Sequence, residues 1–351
     1  MSRNAPRRAA IVAAICGLLA GLPTTVLAGK VRIELQGGYG SNIDVLGPGE
    51  LKFVELANTL SGGSIEVRFH EPNALVPVLQ SFDAVASGAL DAAYTGPGFW
   101  TGKDVTFALL GAVPFGPGTT EFLAWVQEGG GRAFWEELYG RFNIVGIPCG
   151  LLPPEGSGWF RRPIDRVEDL RGLKMRFYGL GARVMEKLGV STQLIAGGEI
   201  YQALQLGTID ATEFSMPSID LSYGFYQVAK YYYFPGWHQQ ASFLDLMISR
   251  DKWNTLDDTQ RAIVRAACDA TILWQIGYGE ARQGPALAEL AAKGVEIRTW
   301  PPEVLDAMRA AWTQVVEELK TENATFARAW QSLEDFRRSY RDWAARGHMR
   351  E

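Results

Sequence analysis

Short apolar strands alternate with helices along much of this chain, and several of the helices end at glycine. The stretches 64–69 and 173–178 have the composition of strands, whereas 181–189 and 199–207 have apolar residues at helical spacing and a glycine at the last position. This alternation is typical of proteins in which helices cover sheets that contain parallel strands. The sequence therefore predicts an α/β fold.

The last third of the chain has helical periodicity almost throughout. Helices are predicted over 258–294 and 301–348, with one strand at 295–300 between them. The second helical stretch begins with proline and has a predicted break near residues 321–323. We expect these helices to pack against the α/β part of the molecule.

The first 28 residues have the pattern of a secretory signal. Three arginines precede an apolar run that ends near Leu22, and small or apolar residues then lead to Ala28. The run is too short for a membrane span, which needs about 20 apolar residues. We therefore predict a secreted protein that is exported by either the Sec or the Tat route.

Removal of this segment leaves 31 of the 34 basic residues against 39 acidic ones, a net charge of −8. The sequence has no basic stripe, so nucleic acid is not an expected partner. The remaining 323 residues suggest two domains. The chain has three histidines and lacks the G-x-S-x-G and H-E-x-x-H motifs, which argues against an enzyme.

Cys149 and Cys268 are the two cysteines outside the predicted signal. They can pair in an oxidising compartment, but a single pair is not the framework of a disulfide-rich domain. The favoured interpretation is two buried, unpaired side chains.

Two segments, 84–97 and 203–217, share the pattern Gly-x-Leu/Ile-Asp-Ala at the joint between a helix and a strand. If they mark two similarly built lobes, Asp91 and Asp210 occupy equivalent positions between the helix and the strand of each lobe. Glu213 then lies near the carboxyl end of a strand, where ligands bind in open α/β sheets.

Arg176 and Glu213 are charged residues within apolar strands. A buried charge is costly unless it is paired. The planar guanidinium of Arg176 suits a carboxylate, which is either the side chain of Glu213 or a bound ligand. A carboxylate such as Glu213 has a cation as a further possible partner.

A series of further motifs extends in order over most of the chain. They are AVPFG (112–116), EGGG (128–131), GIPCG (146–150), GWFRR (158–162), DLRGLKMRFYGLGARVMEKLG (169–189), AGGEIYQALQLGTIDATEF (196–214) and GFYQVAKYYYFPGW (224–237). The series resembles the extracytoplasmic solute-binding proteins of TRAP (tripartite ATP-independent periplasmic) transporters, and in particular the subgroup that binds 2-oxo acids.

The resemblance implies a two-lobe periplasmic binding protein fold, with a ligand cleft between the lobes and a long C-terminal bracing helix. Lobe one is expected over 30–150 plus 242–285, and lobe two over 151–241 plus 286–351. Such a receptor closes on a small organic acid and delivers it to the membrane permease subunits of a TRAP transporter. The chain ends sooner than relatives that dimerise by exchanging a C-terminal helix, so the oligomeric state stays open.

The resemblance also implies the roles of the site residues. Arg176 would bind the ligand's carboxylate, and Glu213 with the backbone carbonyl of Phe214 would bind a cation, either Na⁺ or Ca²⁺. Glu155 stands where the subgroup carries glutamine beside both substrate and cation. Gln239 stands where the subgroup often has an acid near the metal. One acid is thus lost at Gln239 and one gained at Glu155, so the net charge of the site is expected to be about the same as in the subgroup. His238 in the same loop is left out of the metal set, because a lone histidine is more often a packing or capping residue.

From lobe one, Phe99 and Trp100 are expected to close over the ligand. Because this chain has fewer hydroxyl groups near the cleft and has Leu151 and Leu152 there, we expect a 2-oxo or 2-hydroxy monocarboxylate with a longer hydrocarbon tail than pyruvate. The alternatives are a dicarboxylate or a sugar, the latter suggested by eleven tryptophans, and a hydrolase that uses two carboxylates.

Overall fold

The computed structural model describes residues 29–347, so the predicted signal segment lies outside the described residues. The strands are β1 Val31–Gly37, β2 Ile65–His70, β3 Ala92–Thr95, β4 Ile144–Leu152, β5 Gly158–Phe160, β6 Lys174–Arg176, β7 Ser191–Gln193, β8 Ala211–Thr212, β9 Tyr231–Phe234, β10 Ser242–Ser249 and β11 Glu296–Thr299.

The α-helices of the same range fall between these strands and after them. They are α1 Leu46–Leu60, α2 Ser81–Ala86, α3 Thr106–Gly111, α4 Thr119–Glu128, α5 Gly131–Gly140, α6 Gly181–Lys187, α7 Gly197–Leu206, α8 Pro217–Tyr223, α9 Arg250–Asn254, α10 Asp258–Ala292, α11 Pro302–Glu322 and α12 Ala324–Gly347. In the part of the chain from residue 29 to 347, no helix combines the length and the apolar character that a membrane crossing needs.

The strands form two sheets. The first has the order β2-β1-β3-β10-β4, with β1 parallel to β2 and β3 and with β10 antiparallel to both of its neighbours. The second has the order β11-β9-β5-β8-β6-β7, with β6 parallel to β7 and β8 and with β5 antiparallel to its neighbours. The predicted α/β fold is confirmed.

The chain crosses between the sheets at residues 153–157, from β4 to β5, and again at 235–241, from β9 to β10. Strand β10 is buried along its whole length because strands flank it on both sides. Its sequence, SFLDLMIS, is correspondingly apolar at most positions. Because β4 pairs with β10 and β5 pairs with β9, the two crossings run side by side.

The predicted equivalence of Asp91 and Asp210 holds in the structure. The Asp91 carboxylate accepts a hydrogen bond from the Glu34 backbone N–H at 3.0 Å, and the Asp210 carboxylate accepts one from the Lys174 N–H at 2.9 Å. In each case the donor lies on the parallel neighbouring strand. Helix α7 ends at Gly207 with φ of 74°, a conformation that favours glycine, and this sets the turn into Asp210.

The C-terminal helices contact both parts of the molecule. Helix α11 packs on α6, beside the second sheet, whereas α12 packs on α3, α4 and α5, beside the first. The predicted break between them is confirmed, since the Asn323 side chain accepts a hydrogen bond from the Phe326 N–H at 2.8 Å and caps α12. Two helices, and not the single long helix that was expected, therefore brace the two parts of the molecule. The predicted lobe boundaries stay a prediction.

Cys149 of β4 and Cys268 of α10 form a disulfide bond. The favoured interpretation, in which both thiols are unpaired, is therefore wrong. Helix α10 packs along β4 over much of its length, and this brings the two Cα atoms to 4.2 Å.

Candidate functional site

Two predicted site residues lie on the crossing segments, and the backbone joins them directly. The Glu155 N–H donates a hydrogen bond to the Gln239 carbonyl at 3.2 Å, and the next residue, Gly156, donates to the Ser215 carbonyl at 3.1 Å. A Cβ at Gly236 would collide with the Glu155 backbone, so glycine is needed where the segments pass. Glu155 and Gln239 are both buried.

Arg176 is the last residue of β6 and is 1% exposed. Its Nε donates to the Ile195 carbonyl at 3.1 Å, and its Nη1 donates to the Glu213 carbonyl at 2.9 Å and to the Glu213 carboxylate at 2.7 Å. The guanidinium also lies 5.0 Å from the centre of the Phe214 ring. Arg176 is thus fixed in place while it still lines the pocket described below.

Glu213 follows β8 directly and is fully buried. Its Oε1 accepts hydrogen bonds from Arg176 Nη1 at 2.7 Å and from the Tyr178 N–H at 2.5 Å. Within residues 29–347, its Oε2 has no hydrogen-bond partner. One oxygen is therefore satisfied by protein and the other is not.

Glu155 has the same asymmetry. Its Oε1 accepts from the hydroxyls of Ser242 at 3.0 Å and Ser215 at 3.4 Å, whereas its Oε2 has no partner among the residues that the structure describes. Burial raises the pKa of the Glu155 carboxyl well above its usual value, and the nearby Glu213 carboxylate raises that pKa further. Two neighbouring carboxylates of this kind need a proton or a cation between them.

His238 lies with these two carboxylates, although the sequence analysis left it out of the metal set. Its Nε2 is 3.3 Å from Glu213 Oε2 and 4.0 Å from Glu155 Oε2. Ligand atoms of the three residues all lie within 4.8 Å of one another. The sequence analysis excluded His238 because a lone histidine is more often a packing residue. In the structure, the crossing segment 235–241 places His238, together with Gln239, beside the two glutamates.

A small pocket, with a cavity of about 30 Å³, has polar lining residues that include Glu155, Arg176 and Gln239. Its apolar lining residues are Leu46, Leu152, Phe99, Phe214, Phe243 and Leu244. The hydroxyl residues Tyr39 and Tyr178 line it too, and the sequence analysis missed both. For Tyr178 the sequence did contain a signal, because the residue lies two positions after Arg176 in the predicted strand 173–178.

Tyr178, which follows β6, also contacts the turn that follows β3. Its hydroxyl accepts a hydrogen bond from the Gly98 N–H at 2.7 Å, and its ring meets Phe99 edge-on with the ring centres 5.0 Å apart. Trp100, which was expected to close over the ligand, packs on Phe82 at 5.3 Å instead and does not line the pocket. That expectation is corrected: the short turn Pro97–Trp100 directs Phe99 to the pocket and Trp100 into the core.

The polar groups of the site fit a metal cation. The Oε2 atoms of Glu155 and Glu213, Oε1 of Gln239 and both nitrogens of His238 are buried and, in the range 29–347, have no hydrogen-bond partner. Buried polar atoms are rarely left in this state. Carboxylate and amide oxygens are suitable ligands for hard cations, and imidazole suits transition metals. The carbonyl of Phe214, predicted as a further ligand, stays a prediction.

Residues that follow strands of both sheets line this buried, charged pocket, which is an arrangement that can bind a small molecule. A model of the bacterial extracellular solute-binding proteins, family 7, matches residues 37–323, and the chain belongs to that family. The prediction that it is a binding protein and not an enzyme is thereby confirmed.

The chain is similar to several known binding proteins. It is 34% identical over 284 residues to the monocarboxylate 2-oxoacid-binding periplasmic protein of Nostoc sp. (strain PCC 7120), an alignment that covers 81% of this chain and 78% of the relative. A TRAP transporter solute-binding protein from Bordetella bronchiseptica, with copurified calcium and picolinate, superposes with a TM-score of 0.89 at 32% identity and covers 91% of this chain and 95% of its own.

A TRAP periplasmic solute-binding protein from Pseudoalteromonas atlantica, with bound sodium and pyruvate, superposes with a TM-score of 0.86 at 31% identity. The match covers 90% of this chain and 96% of that one. The resemblance to the TRAP receptors and to their 2-oxo acid subgroup is thereby confirmed.

Proposed function

We propose that the protein is a periplasmic receptor that binds a 2-oxo or 2-hydroxy monocarboxylate together with a cation and delivers it to a TRAP permease. One observation carries the proposal. Arg176, which pairs with the buried Glu213, lines the pocket together with Glu155, and the second carboxylate oxygens of Glu155 and Glu213 are buried without a hydrogen-bond partner within the described part of the chain. The relatives that bind pyruvate or other 2-oxo acids support it.

In this proposal Arg176 binds the carboxylate of the ligand with its planar guanidinium. Glu213, Glu155, Gln239 and the carbonyl of Phe214 hold the cation. The cation supplies positive charge that the ligand's oxygens share and that offsets the repulsion between the two glutamates.

The apolar lining residues of the pocket account for the expected tail of the ligand. They include Leu152 and Phe99, together with Phe243 and Leu244. A branched hydrocarbon chain removes more of this surface from water than the methyl group of pyruvate, at about 25 cal/mol per Å². We therefore expect affinity to rise with tail size until the pocket is filled.

The cavity is too small to admit such a ligand without movement of the lobes. The proposal includes a hinge at the two crossing segments, lobe one over 30–150 with 242–285, and lobe two over 151–241 with 286–351. Residues 1–28 act as the export signal in this proposal. The permease subunits are the expected partner, and the oligomeric state is left open.

A thermal-shift screen of mature protein, residues 29–351, tests the function. The ligands are pyruvate, 3-methyl-2-oxobutanoate, 4-methyl-2-oxopentanoate, lactate, succinate and glucose, each with EDTA, Na⁺ or Ca²⁺. A ligand present at 100 times its Kd stabilises the folded state by about 2.7 kcal/mol. We expect cation-dependent stabilisation by the branched 2-oxo acids. Stabilisation by glucose or succinate alone, or by none of the acids with any cation, overturns the proposal.

A further inference from the structure

We propose that the hydroxyls of Tyr39 and Tyr178, one from each sheet, bind the carboxylate of the ligand together with Arg176, and that Glu50 positions Tyr39. The inference rests on the proposed function, because it takes the ligand to be an organic acid, but it concerns the carboxylate and not the cation. Tyr39, Tyr178 and Glu50 have no role in the function proposed above.

Arg176 alone gives the carboxylate of a ligand too few hydrogen bonds. Its Nε and Nη1 already donate to the carbonyls of Ile195 and Glu213 and to the Glu213 carboxylate. Within residues 29–347 its Nη2 makes no hydrogen bond, so this one nitrogen is available to the ligand. A carboxylate has two oxygens with about four lone-pair sites. A buried carboxylate that meets only this nitrogen and a cation therefore still needs donors.

The two tyrosines occupy equivalent positions in the two sheets. Tyr39 lies two residues after Gly37, the last residue of β1, and Tyr178 lies two residues after Arg176, the last residue of β6. Strand β1 has a parallel neighbour on each side, and so has β6. Ligands bind beyond the carboxyl ends of such strands, and both tyrosines line the pocket. Each sheet therefore brings one tyrosine to the pocket.

The hydroxyls of the two tyrosines converge, and both are able to donate. A Cβ built at Gly96 would lie 2.4 Å from the Tyr178 hydroxyl and 3.4 Å from the Tyr39 hydroxyl. The Tyr178 hydroxyl accepts from the Gly98 N–H at 2.7 Å, which leaves its own proton for another partner. Among the residues that the structure describes, neither hydroxyl donates a hydrogen bond. A hydroxyl that donates to a carboxylate forms a short, charge-assisted bond.

The surroundings of the pocket leave these hydroxyls for the ligand. Cζ of Arg176 lies 5.9 Å from the centre of the Tyr178 ring, so an anion on Nη2 is close to that tyrosine. Two other hydroxyls line the pocket, those of Ser215 and Ser242, but both donate to Glu155. The tyrosines therefore supply the donors that the carboxylate still needs.

Glu50 of α1 holds the backbone of Tyr39 in place. Its Oε1 accepts hydrogen bonds from the Gly38 N–H at 2.9 Å and the Tyr39 N–H at 3.2 Å. Glu213 makes the same kind of bond to the Tyr178 N–H in the second sheet. Glu50 is fully buried and is not among the residues that line the pocket. It is thus a positioning residue, which acts on the ligand through Tyr39.

Calorimetry of Tyr39→Phe and Tyr178→Phe tests the inference. The ligands are pyruvate, 4-methyl-2-oxopentanoate and lactate, each with the cation that stabilises the parent protein best. Loss of one hydrogen bond to a charged group should raise the Kd by about 10- to 150-fold. The factor should be the same for all three acids, because the carboxylate is the group that all three share.

Three results would overturn the inference. A loss confined to the 2-oxo acids would place the hydroxyls at the oxygen on C2, and a loss that grows with tail size would place them at the tail. Parent-like affinity in both variants would show that neither hydroxyl binds the ligand. Tyr201→Phe is the matched control and should bind as the parent does, since the Tyr201 hydroxyl donates to Gln227 at 3.3 Å on the surface and outside the pocket.

The role of Glu50 has its own test. Glu50→Leu should raise the Kd in the parent but add no further loss in the Tyr39→Phe protein, because it acts through that hydroxyl. Glu50→Gln keeps an oxygen that accepts from the two backbone N–H groups, so it should bind as the parent does. A further loss in the double variant, or weaker binding in Glu50→Gln, contradicts this role.

The inference and the proposed function fail in different ways. Acids that bind the parent and both tyrosine variants equally well leave the function intact and refute the inference alone. Tyrosine-dependent binding of succinate alone refutes the function and keeps the assignment of the hydroxyls to a carboxylate. Binding of no acid by the parent refutes both.

Discussion

Arg176 and Glu213 form an ion pair across two neighbouring parallel strands, with Nη1 2.7 Å from Oε1 and neither side chain more than 2% exposed. The Glu213 N–H also donates to the Arg176 carbonyl at 3.2 Å, so the pair is held by backbone as well as side chains. A buried pair of this kind does not by itself imply high stability. Arg176 of this pair lines the pocket, and in the proposed function it binds the ligand's carboxylate.

Arg176→Lys should greatly reduce binding of the organic acid, because Nε and Nη1 of the guanidinium already donate to Ile195 and Glu213 and leave Nη2 for the ligand, whereas an ammonium cannot replace all of these bonds. The loss of one charged hydrogen bond is about 1.5–3 kcal/mol, about 10- to 150-fold in Kd. Calorimetry with the best ligand of the thermal-shift screen measures it. Arg298→Lys on β11, where Arg298 pairs with Glu296 and Asp165, is the control and should bind normally.

Arg176→Ala should in addition lower the free energy of unfolding by about 3–5 kcal/mol, because it leaves the buried Glu213 carboxylate without the guanidinium that pairs with it. Urea denaturation measures this change. Parent-like ligand affinity in the folded Arg176→Ala protein would show that the ligand is not held through a carboxylate.

Glu155→Gln should weaken binding of divalent cations by about tenfold or more, since affinity at oxygen sites depends on the number of charged ligands. It should not destabilise the metal-free protein, because it replaces a buried carboxyl that lies beside Glu213 with a neutral amide. Metal calorimetry and urea denaturation measure the two effects. Glu199→Gln, an exposed change on α7, should have neither. Unchanged divalent affinity in Glu155→Gln would place the cation elsewhere.

Gly98→Ala should hinder closure of the lobes. A Cβ at this position would lie 2.5 Å from Cζ of Tyr178, so the tyrosine must move away from the pocket. Overpacking of this kind costs about 1–3 kcal/mol, and we expect the ligand's Kd to rise by about tenfold. Small-angle scattering should show a ligand-bound form that is less compact than the parent.

Gly102→Ala is the matched control in the same stretch of lobe one. Within the described range, no heavy atom lies within 4 Å of a Cβ built there, its chain neighbours aside. It should bind and close as the parent does. Equal behaviour of the two alanine variants would contradict a role for the Gly98–Tyr178 contact in closure.

Arg176 and Glu213 could be singled out from the sequence because a charged residue in an apolar strand is a local signal. The strand before Glu213 is short in the structure, β8 Ala211–Thr212, and Glu213 follows it with its carboxylate bonded to the Tyr178 N–H. Strand periodicity alone cannot show where a strand ends at a site.

His238 and Trp100 could not be assigned from sequence for a different reason. His238 lies in an irregular segment and Trp100 is the last residue of a short 3-10 helix, Pro97–Trp100, and at both places the direction of the side chain depends on the tertiary packing. Which crossing segment lies beside which residue is set by the placement of β10 between β3 and β4, a long-range pairing that no local pattern shows. The same holds for the disulfide, because the distance between two cysteines 119 residues apart is a property of the fold.

The disulfide should contribute substantially to stability. In the chain-entropy description, a crosslink that closes a loop of this size stabilises by about 4.7 kcal/mol, and removal of native disulfides typically costs about 2–5 kcal/mol. The double variant Cys149→Ala, Cys268→Ala should show this loss in urea denaturation. As a check on the bond itself, denatured parent protein without reductant should show no free thiol, and two free thiols per chain would contradict the pairing.

The buried Asp245 should make the protein less stable as pH rises towards neutrality. Burial raises its pKa from 3.8 to about 7, and the Tyr139 hydroxyl, which donates to it, only partly opposes this shift. Between these two values the folded state holds a proton that the unfolded state has lost. The stabilisation is therefore complete below pH 3.8 and is lost as the pH rises through about 7.

Each such group changes the free energy of unfolding by at most about 1.4 kcal/mol per pH unit. Urea denaturation at a series of pH values should give a shallower slope for Asp245→Asn than for the parent. The slope should not vanish, because burial also raises the pKa of Asp220 to about 7. Asp306→Asn, an exposed change on α11, should keep the parent slope. A parent-like slope in Asp245→Asn would show that this carboxyl is already ionised in the folded protein at acidic pH.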